Sequence, residues 1–173
     1  AELVSFFLLL VVAGYETTTH LLTHALCMLA KHPELIARLR AEPAVIPAFV
    51  DEVLRYEPVA HGTLRLALAD SVVGGVKIPA GSPVMLLLGS ACRDEQYAEN
   101  PDRFDIDRRQ HGSISFGHGV HFCLGAALAR AEARIALEEL LPHVRGIRLA
   151  GEPTWNLSLT VRGPLACTME FER

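Results

Sequence analysis

A proline-free run at the start of the chain, residues 1–31, constrains the fold more than any other feature. His32-Pro33 ends it, because the residue before a proline is driven out of the helical region. The strongly apolar stretch 3–14 is shorter than the roughly 20 residues that a membrane span needs. It also lacks the basic flank of a signal peptide. The run therefore predicts one long core helix, apolar nearly all round at its start.

Composition and charge place the rest of the chain. Its 173 residues, half of them apolar, suit one globular domain with a sizeable core. The net charge of -4 without a dense basic stripe argues against nucleic acid as a partner. The four cysteines form neither a zinc pattern nor a disulfide framework. We therefore expect a reducing, cytoplasmic compartment.

Helical and strand patterns alternate along the remainder. Apolar spacing predicts helices over 34–40, 44–56 and about 124–141. Segments rich in Val, Leu and Thr predict short antiparallel strands over 63–68, 71–78 and within 156–171, while 84–88 fits a strand or a helix start. The expected class is mainly α, with small β-sheets beside the helices.

A glycine-rich loop, FGHGVHFCLG at 116–125, carries the clearest chemical signal. A thiolate that binds iron needs a local positive potential, and a helix beginning after Cys123 provides one. Gly117 allows a tight turn, and the N–H groups of Leu124 and Gly125 can donate to the sulfur. His121 can bind a haem propionate, and Phe116 can pack on the porphyrin. On the cysteine alone, a glycine-rich turn before a helix with one buried thiol is the favoured explanation.

The complete pattern resembles the haem-thiolate signature of the cytochrome P-450 family. The resemblance implies haem b with Cys123 as the axial iron ligand. It runs the length of the chain but covers only about the C-terminal half of the family's fold: the long central helix, the ExxR helix, small sheets and the post-cysteine helix. We therefore interpret 1–173 as one partial domain, cut inside its first helix.

Two further family motifs occur in the family's order. Glu52 and Arg55 resemble the ExxR pair, and Arg103 matches the third member, which implies a structural network under the haem. Alone, the Glu52 and Arg55 pair would be an ordinary surface pair of a helix. Ala13 and the acid–alcohol pair Glu16-Thr17 resemble the family's oxygen-binding groove.

Each of the remaining assignments has a simpler alternative. Thr17 could merely bond back to a carbonyl of the preceding turn. Arg65 aligns with a propionate-binding arginine, and its alternative is a solvated strand charge. His61 falls on a substrate-facing segment, or is a partly exposed loop histidine. With it, the expected substrate-facing residues are Leu9, Val12, Gly62 and Thr160.

The implied activity is insertion of one oxygen atom from O2 into a small apolar substrate. Four arginines near the cysteine loop, Arg108, Arg109, Arg130 and Arg134, suggest that an acidic ferredoxin, served by its reductase, supplies electrons. His121, where other members carry arginine, points to a soluble bacterial type. The alternatives are a peroxygenase of the same fold and a non-catalytic haem-binding protein. We expect the 173-residue chain alone to be inactive.

Overall fold

A computed structural model describes residues 2–109 and 113–173 of the chain. Its helices follow the predicted pattern closely, with bounds that differ by a few residues. The five α-helices of the described residues are α1 (Glu2–Lys31), α2 (Glu34–Ala41), α3 (Ile46–Tyr56), α4 (Leu88–Ala91) and α5 (Ala126–Leu140). Short 3₁₀ turns precede α3 at Pro43–Val45, lie in the cysteine loop at Gly119–His121 and follow α5 at Leu141–His143.

The strands pair into four small antiparallel sheets rather than one. Gly74 and Gly75 form the predicted hairpin turn, and both adopt positive φ. Two sheets join β1 (Thr63–Leu66) to β4 (Pro83–Leu86) and β2 (Ser71–Val73) to β3 (Val76–Ile78). The other two join β5 (Gly146–Leu149) to β8 (Met169–Glu172) and β6 (Thr154–Trp155) to β7 (Pro164–Ala166). The strand β5 was not predicted.

The core lies between α1, α3 and α5. Its fully buried side chains include Leu21 and Leu29 from α1, Phe49 and Val53 from α3, and Leu137 from α5. A helix buries one apolar stripe against its neighbours, and these residues form three such stripes. The core therefore fixes the second half of α1 over the start of α5.

The first half of α1 is not core within this chain, which corrects the prediction. Leu3, Phe7, Leu9 and Val12 are each more than half exposed, and burial begins only at Leu21. By length and composition, α1 is the one described helix that could cross a membrane. Its middle carries Glu16 to His20, which would be costly inside a bilayer. The packed second half instead places it as a helix of the protein interior.

Candidate functional site

A cavity of about 340 Å³ opens between α1, α3, the cysteine loop and α5. Five residues assigned to the site line it together: Thr17, Phe116, Gly117, His121 and Cys123. Arg65 of β1 reaches it as well. The volume falls in the range of small-molecule and cofactor pockets. Six residues separated by up to about a hundred positions in sequence thus converge on one space.

The cysteine loop closes on itself by backbone hydrogen bonds. The Cys123 N–H donates to the Phe116 carbonyl at 2.9 Å, and the Gly117 N–H donates to Ile114 at 2.8 Å. Gly117 and Gly119 both have positive φ, at 76° and 67°, a region where other residues are strained. The two glycines therefore allow the turns that bring Cys123 to the cavity.

The thiol of Cys123 is exposed at the cavity and sits directly before α5. A Cβ on Gly125 would lie 4.0 Å from its Sγ atom, so the sulfur rests against the first turn of the helix. The N–H groups at a helix start carry a partial positive charge. Cys123 therefore presents its sulfur to the cavity at the N-terminal end of α5.

Phe116 is held as part of the cavity wall. The guanidinium of Arg130 lies 4.5 Å from its ring centre, and Arg130 is itself bound to Asp51 at 2.7 Å. A stacked guanidinium fixes the plane of an aromatic ring. The ring is therefore positioned by α5 and α3 as well as by its own loop.

Two residues with side-chain nitrogen atoms, Arg65 and His121, line the cavity. Arg65 is half-buried and donates to the hydroxyl of Thr63 and the carbonyl of Leu64, at 3.0 and 2.8 Å. His121 ends the 3₁₀ turn of the cysteine loop. A guanidinium retains further N–H donors after two bonds, so Arg65 can still bind an acidic group in the cavity.

Thr17 combines both interpretations that the sequence left open. Its hydroxyl donates to the Ala13 carbonyl at 2.6 Å, and its side chain also lines the cavity. Since the hydroxyl hydrogen is engaged, the oxygen faces the cavity as an acceptor. The neighbouring carboxylate of Glu16 is about half exposed and lies 3.7 Å from His20 Nε2.

Glu52 and Arg55 form a buried pair under the cavity. One edge of the guanidinium binds the carboxylate: Nε and Nη2 of Arg55 donate to the two Glu52 oxygens, each at 2.8 Å. Arg55 also donates to the carbonyls of Cys92, Pro101 and Arg103. The alternative of an ordinary surface pair is therefore wrong, since both side chains are buried.

The third member of this network differs from the prediction. Arg103 contributes its carbonyl, and the residue itself is exposed. The guanidinium of Arg108 takes the predicted place, 3.4 Å from Glu52, and also binds the Arg103 carbonyl at 2.8 Å. The loop turns between these positions, where the Asp105 N–H donates to Glu52 at 2.8 Å. That turn carries Arg108, rather than Arg103, back to the carboxylate.

Several predicted residues do not line this cavity. Leu9, Val12 and Ala13 lie on the exposed half of α1, and Leu124 is exposed at the start of α5. His61 packs its ring 3.2 Å from the position of a Cβ on Gly89, and its burial lowers its pKa. Gly62 is buried, and its N–H, like that of His61, donates to the Thr160 carbonyl. His61, Gly62 and Thr160 therefore form a packed edge beside the cavity.

The predicted basic set is mostly neutralised within the chain. Arg130 pairs with Asp51, and Arg134 pairs with Glu138 at 2.8 Å. Arg108 faces inward to Glu52 and to the carbonyl of Glu99. Three of the four arginines are therefore paired within the chain, and Arg109 is exposed.

The lining suits a haem. Leu21, Leu54, Val59 and Leu88 give apolar walls, with Ala60 and Ala129 as small neighbours. Within the described residues, no three His, Cys, Asp or Glu side chains are grouped to hold a bare metal ion. If a haem binds here, Cys123 is the residue that could hold its iron, and Arg65 and His121 are the residues that could bind its carboxylates.

Sequence reasoning missed most of those walls. Leu21 and Ala129 repeat one helical turn after Thr17 and Gly125, and that spacing could have indicated them. Thr63 shares a strand face with Arg65 in the same way. Leu88 and Ser115 carried no comparable signal, because their positions depend on tertiary packing.

Comparison with known proteins shows the family to which the chain belongs. The cytochrome P450 family model matches residues 1–146. The chain belongs to the cytochrome P450 family. It is 45% identical over 166 residues to cytochrome P450 107B1 of Saccharopolyspora erythraea, covering 94% of this chain and 41% of that protein. It is 43% identical to the mycinamicin IV hydroxylase/epoxidase of Micromonospora griseorubida, with 95% and 43% covered.

Solved cytochrome P450 structures share the fold. The structure of CYP109Q5 from Chondromyces apiculatus superposes with a TM-score of 0.90 at 43% identity, over 94% of this chain and 42% of that one. CYP109E1 from Bacillus megaterium, solved with corticosterone, gives 0.92 at 37% identity, over 97% and 46%. The chain thus spans about two fifths of the length of the relatives it matches.

Proposed function

We propose that the full-length protein, meaning a chain of the relatives' length that contains these 173 residues, is a haem-thiolate monooxygenase. It inserts one atom of O2 into an apolar organic substrate. The observation that carries the proposal is the convergence of Cys123, Thr17 and Arg65 on one cavity. Membership of the cytochrome P450 family supports it.

Each of these residues has a distinct part. Cys123 would bind the iron through its sulfur, because that side chain lines the cavity. Arg65 and His121 would hold the propionates, because both face the cavity. When bound, haem b with a thiolate ligand supplies the activation of O2. The rest of the work falls to the protein: positioning, water exclusion and proton delivery.

Thr17 and Glu16 are the proposed proton-handling residues. The Thr17 hydroxyl donates its hydrogen bond to the Ala13 carbonyl. Its oxygen would therefore accept a hydrogen bond from a protonated group in the cavity. The Glu16 carboxylate is exposed enough to exchange protons with solvent. Glu16 lies at the surface and Thr17 at the cavity, so the pair connects the two.

The substrate and partners are proposed more coarsely. Apolar walls favour an apolar compound, and solved relatives are described with corticosterone and testosterone. Leu9, Val12, His61, Gly62 and Thr160 would border it where the rest of a full-length chain closes the pocket. Electrons would come from a ferredoxin and its reductase, with Arg109 as the exposed cation. We place the protein in the cytoplasm, and expect the 173-residue chain alone to be inactive.

Turnover with isotopically labelled O2 tests the proposal. The full-length protein, with ferredoxin, reductase and NAD(P)H, should transfer one labelled oxygen atom to an apolar substrate. Thr17→Ala should keep haem binding but divert electrons from product to hydrogen peroxide. The matched control is Thr23→Ala, since Thr23 makes the same bond, to Thr19 at 2.8 Å, away from the cavity. Product formed only with added peroxide would instead identify a peroxygenase, and haem binding with neither activity would identify a haem-binding protein.

A further inference from the structure

Two cysteines outside the haem site meet across the fold. Cys27 lies in the buried half of α1, and Cys167 lies between β7 and β8. They are 140 residues apart in sequence, yet their Sγ atoms are 3.7 Å apart. Cys27 is buried, and Cys167 is partly exposed. One thiol of the pair is thus open to small reagents, and the other is open only to its neighbour.

We propose that Cys27 and Cys167 form a dithiol site that hydroperoxides oxidise to a reversible disulfide. The oxidant is hydrogen peroxide or an organic hydroperoxide that reaches Cys167 from solvent. The site joins α1, the helix that carries Thr17, to the connection between β7 and β8. It uses none of the residues assigned to haem binding or proton delivery.

The chemistry balances in two steps. The Cys167 sulfur attacks the peroxide, the O–O bond breaks, and Cys167 becomes a sulfenic acid while one water leaves, or the corresponding alcohol where the oxidant is an organic hydroperoxide. The Cys27 sulfur then attacks the sulfenic sulfur. The S–S bond forms, the S–O bond breaks, and the hydroxyl leaves as a second water with the Cys27 proton. Each sulfur loses one electron, and the peroxide gains two.

The environment of the pair sets this order. Burial and the neighbouring Cys167 sulfur raise the pKa of the Cys27 thiol to about 12, so Cys27 stays protonated at neutral pH. Its S–H can then donate to the Cys167 sulfur, 3.7 Å away. The exposed partner is therefore the one that reacts first with peroxide.

The geometry allows the bond with a small movement. A disulfide needs its sulfurs about 2.05 Å apart, so the pair must close by less than about 2 Å. Cys167 and Thr168 are the only residues between β7, which pairs with β6, and β8, which pairs with β5, and this short connection can adjust. Cys27 itself is held in place, because its neighbours Met28 and Leu29 are fully packed in the core.

Cys92 provides a matched internal control. It is as buried as Cys27, and burial also raises its pKa. Its sulfur, however, faces the hydroxyl of Ser113 at 3.6 Å rather than a thiol. Burial alone would leave both cysteines alike, so only a partner thiol predicts a difference between them.

Peptide mapping of the full-length, haem-loaded protein tests the site. The reduced protein is treated with equimolar hydrogen peroxide, its free thiols are alkylated, and it is digested without reductant. We expect a linked Cys27–Cys167 peptide that is lighter by about 2 Da than the sum of its thiol forms. Cys92 should be fully alkylated, and dithiothreitol should restore both peptides. The oxidised protein should also melt several degrees higher than the reduced one.

Variants separate this outcome from general oxidation. Cys167→Ser should abolish the linked peptide and the rise in melting temperature, while Cys92→Ser should keep both. Three results would overturn the proposal: sulfinic acid at Cys167 with Cys27 still alkylated, pairing of either cysteine with Cys92 or Cys123, or no reaction at either thiol. Because the readout is peptide mass, failure of the monooxygenase assignment would leave it intact.

Discussion

Burial decides what the charged pair Glu52 and Arg55 does. The carboxylate accepts hydrogen bonds from Arg55, from Arg108 and from the Asp105 N–H. A charge taken out of water needs such partners, because its desolvation costs several kcal/mol. The network therefore ties α3 to the loop that leads toward the cysteine segment.

Removing one partner of this pair should be strongly destabilising. Glu52→Gln leaves the Arg55 guanidinium buried without its counter-charge, and we expect a loss of about 3 to 5 kcal/mol of unfolding free energy. Glu138→Gln removes the exposed i, i+4 pair with Arg134 and should cost under about 1 kcal/mol. Urea denaturation of both variants measures the difference. Equal losses would show that the buried network is not the stronger element.

His24 makes stability depend on pH. The residue is buried, its Nδ1 bonds the Glu57 carbonyl at 2.9 Å, and its Nε2 has no partner among the described residues. A carbonyl only accepts, so Nδ1 carries the hydrogen and Nε2 is a lone pair. Burial lowers the pKa of His24 from 6.5 to about 4, because a second N–H and a charge would be unpaired.

The sign of the effect follows from that lowered pKa. The unfolded chain binds a proton near pH 6.5, and the folded chain resists it down to about pH 4. Stability should therefore be full above pH 6.5 and fall by about 3 kcal/mol as the pH drops to 4. His24→Gln should flatten this part of the curve, whereas His143→Gln, at an exposed histidine, should not. Parallel curves for His24→Gln and the parent protein would contradict the assignment.

At the scale of elements, α1 packs closely against the hairpin that β6 and β7 form. The ring of His20 lies directly against the backbone of Gly163, so that a side chain there would overlap it. The hairpin is also held by Arg162, which stacks on Trp155 at 4.3 Å and pairs with Glu57. The hairpin edge that holds Thr160 beside His61 depends on this contact.

A methyl group at Gly163 tests that contact. Gly163→Ala should cost about 1 to 3 kcal/mol, because His20 must leave its packed position. The added change His20→Ala should recover much of the loss by opening space. Gly151→Ala, where a Cβ meets open space, is the control and should be near neutral. Thermal denaturation of these three variants and the parent protein decides, and a neutral Gly163→Ala would refute the close fit.

The elements also show where sequence reasoning works. Helices α1, α2, α3 and α5 were predicted within a few residues, because proline and apolar spacing are local signals. The strand β5 was missed, since it has only four residues and pairs with β8 across more than twenty residues of the chain. The strand β6, with two residues, was missed as well. Arg108 was missed for a related reason. Its contact with Glu52 depends on how the loop after Arg103 turns.

At the scale of the whole molecule, the exposed half of α1 is the main departure from expectation. The proline-free run, apolar nearly all round at its start, predicted a core helix, yet Leu3 to Val12 face solvent within this chain. One side of the cavity is built by α3, β1 and the cysteine loop. The chain spans about two fifths of its relatives, and the residues that form the cysteine side of the cavity all belong to that part.

Haem ligation by Cys123 is the central claim, and the spectrum of the carbon monoxide complex tests it most directly. The full-length protein, reduced and exposed to carbon monoxide, should show the long-wavelength Soret band of a thiolate-ligated haem. Cys123→His should move that band to the shorter wavelength of a nitrogen-ligated haem, and Cys92→Ser should leave it in place. A haem-containing protein that lacks the band with Cys123 intact, or keeps it in Cys123→His, would contradict the account.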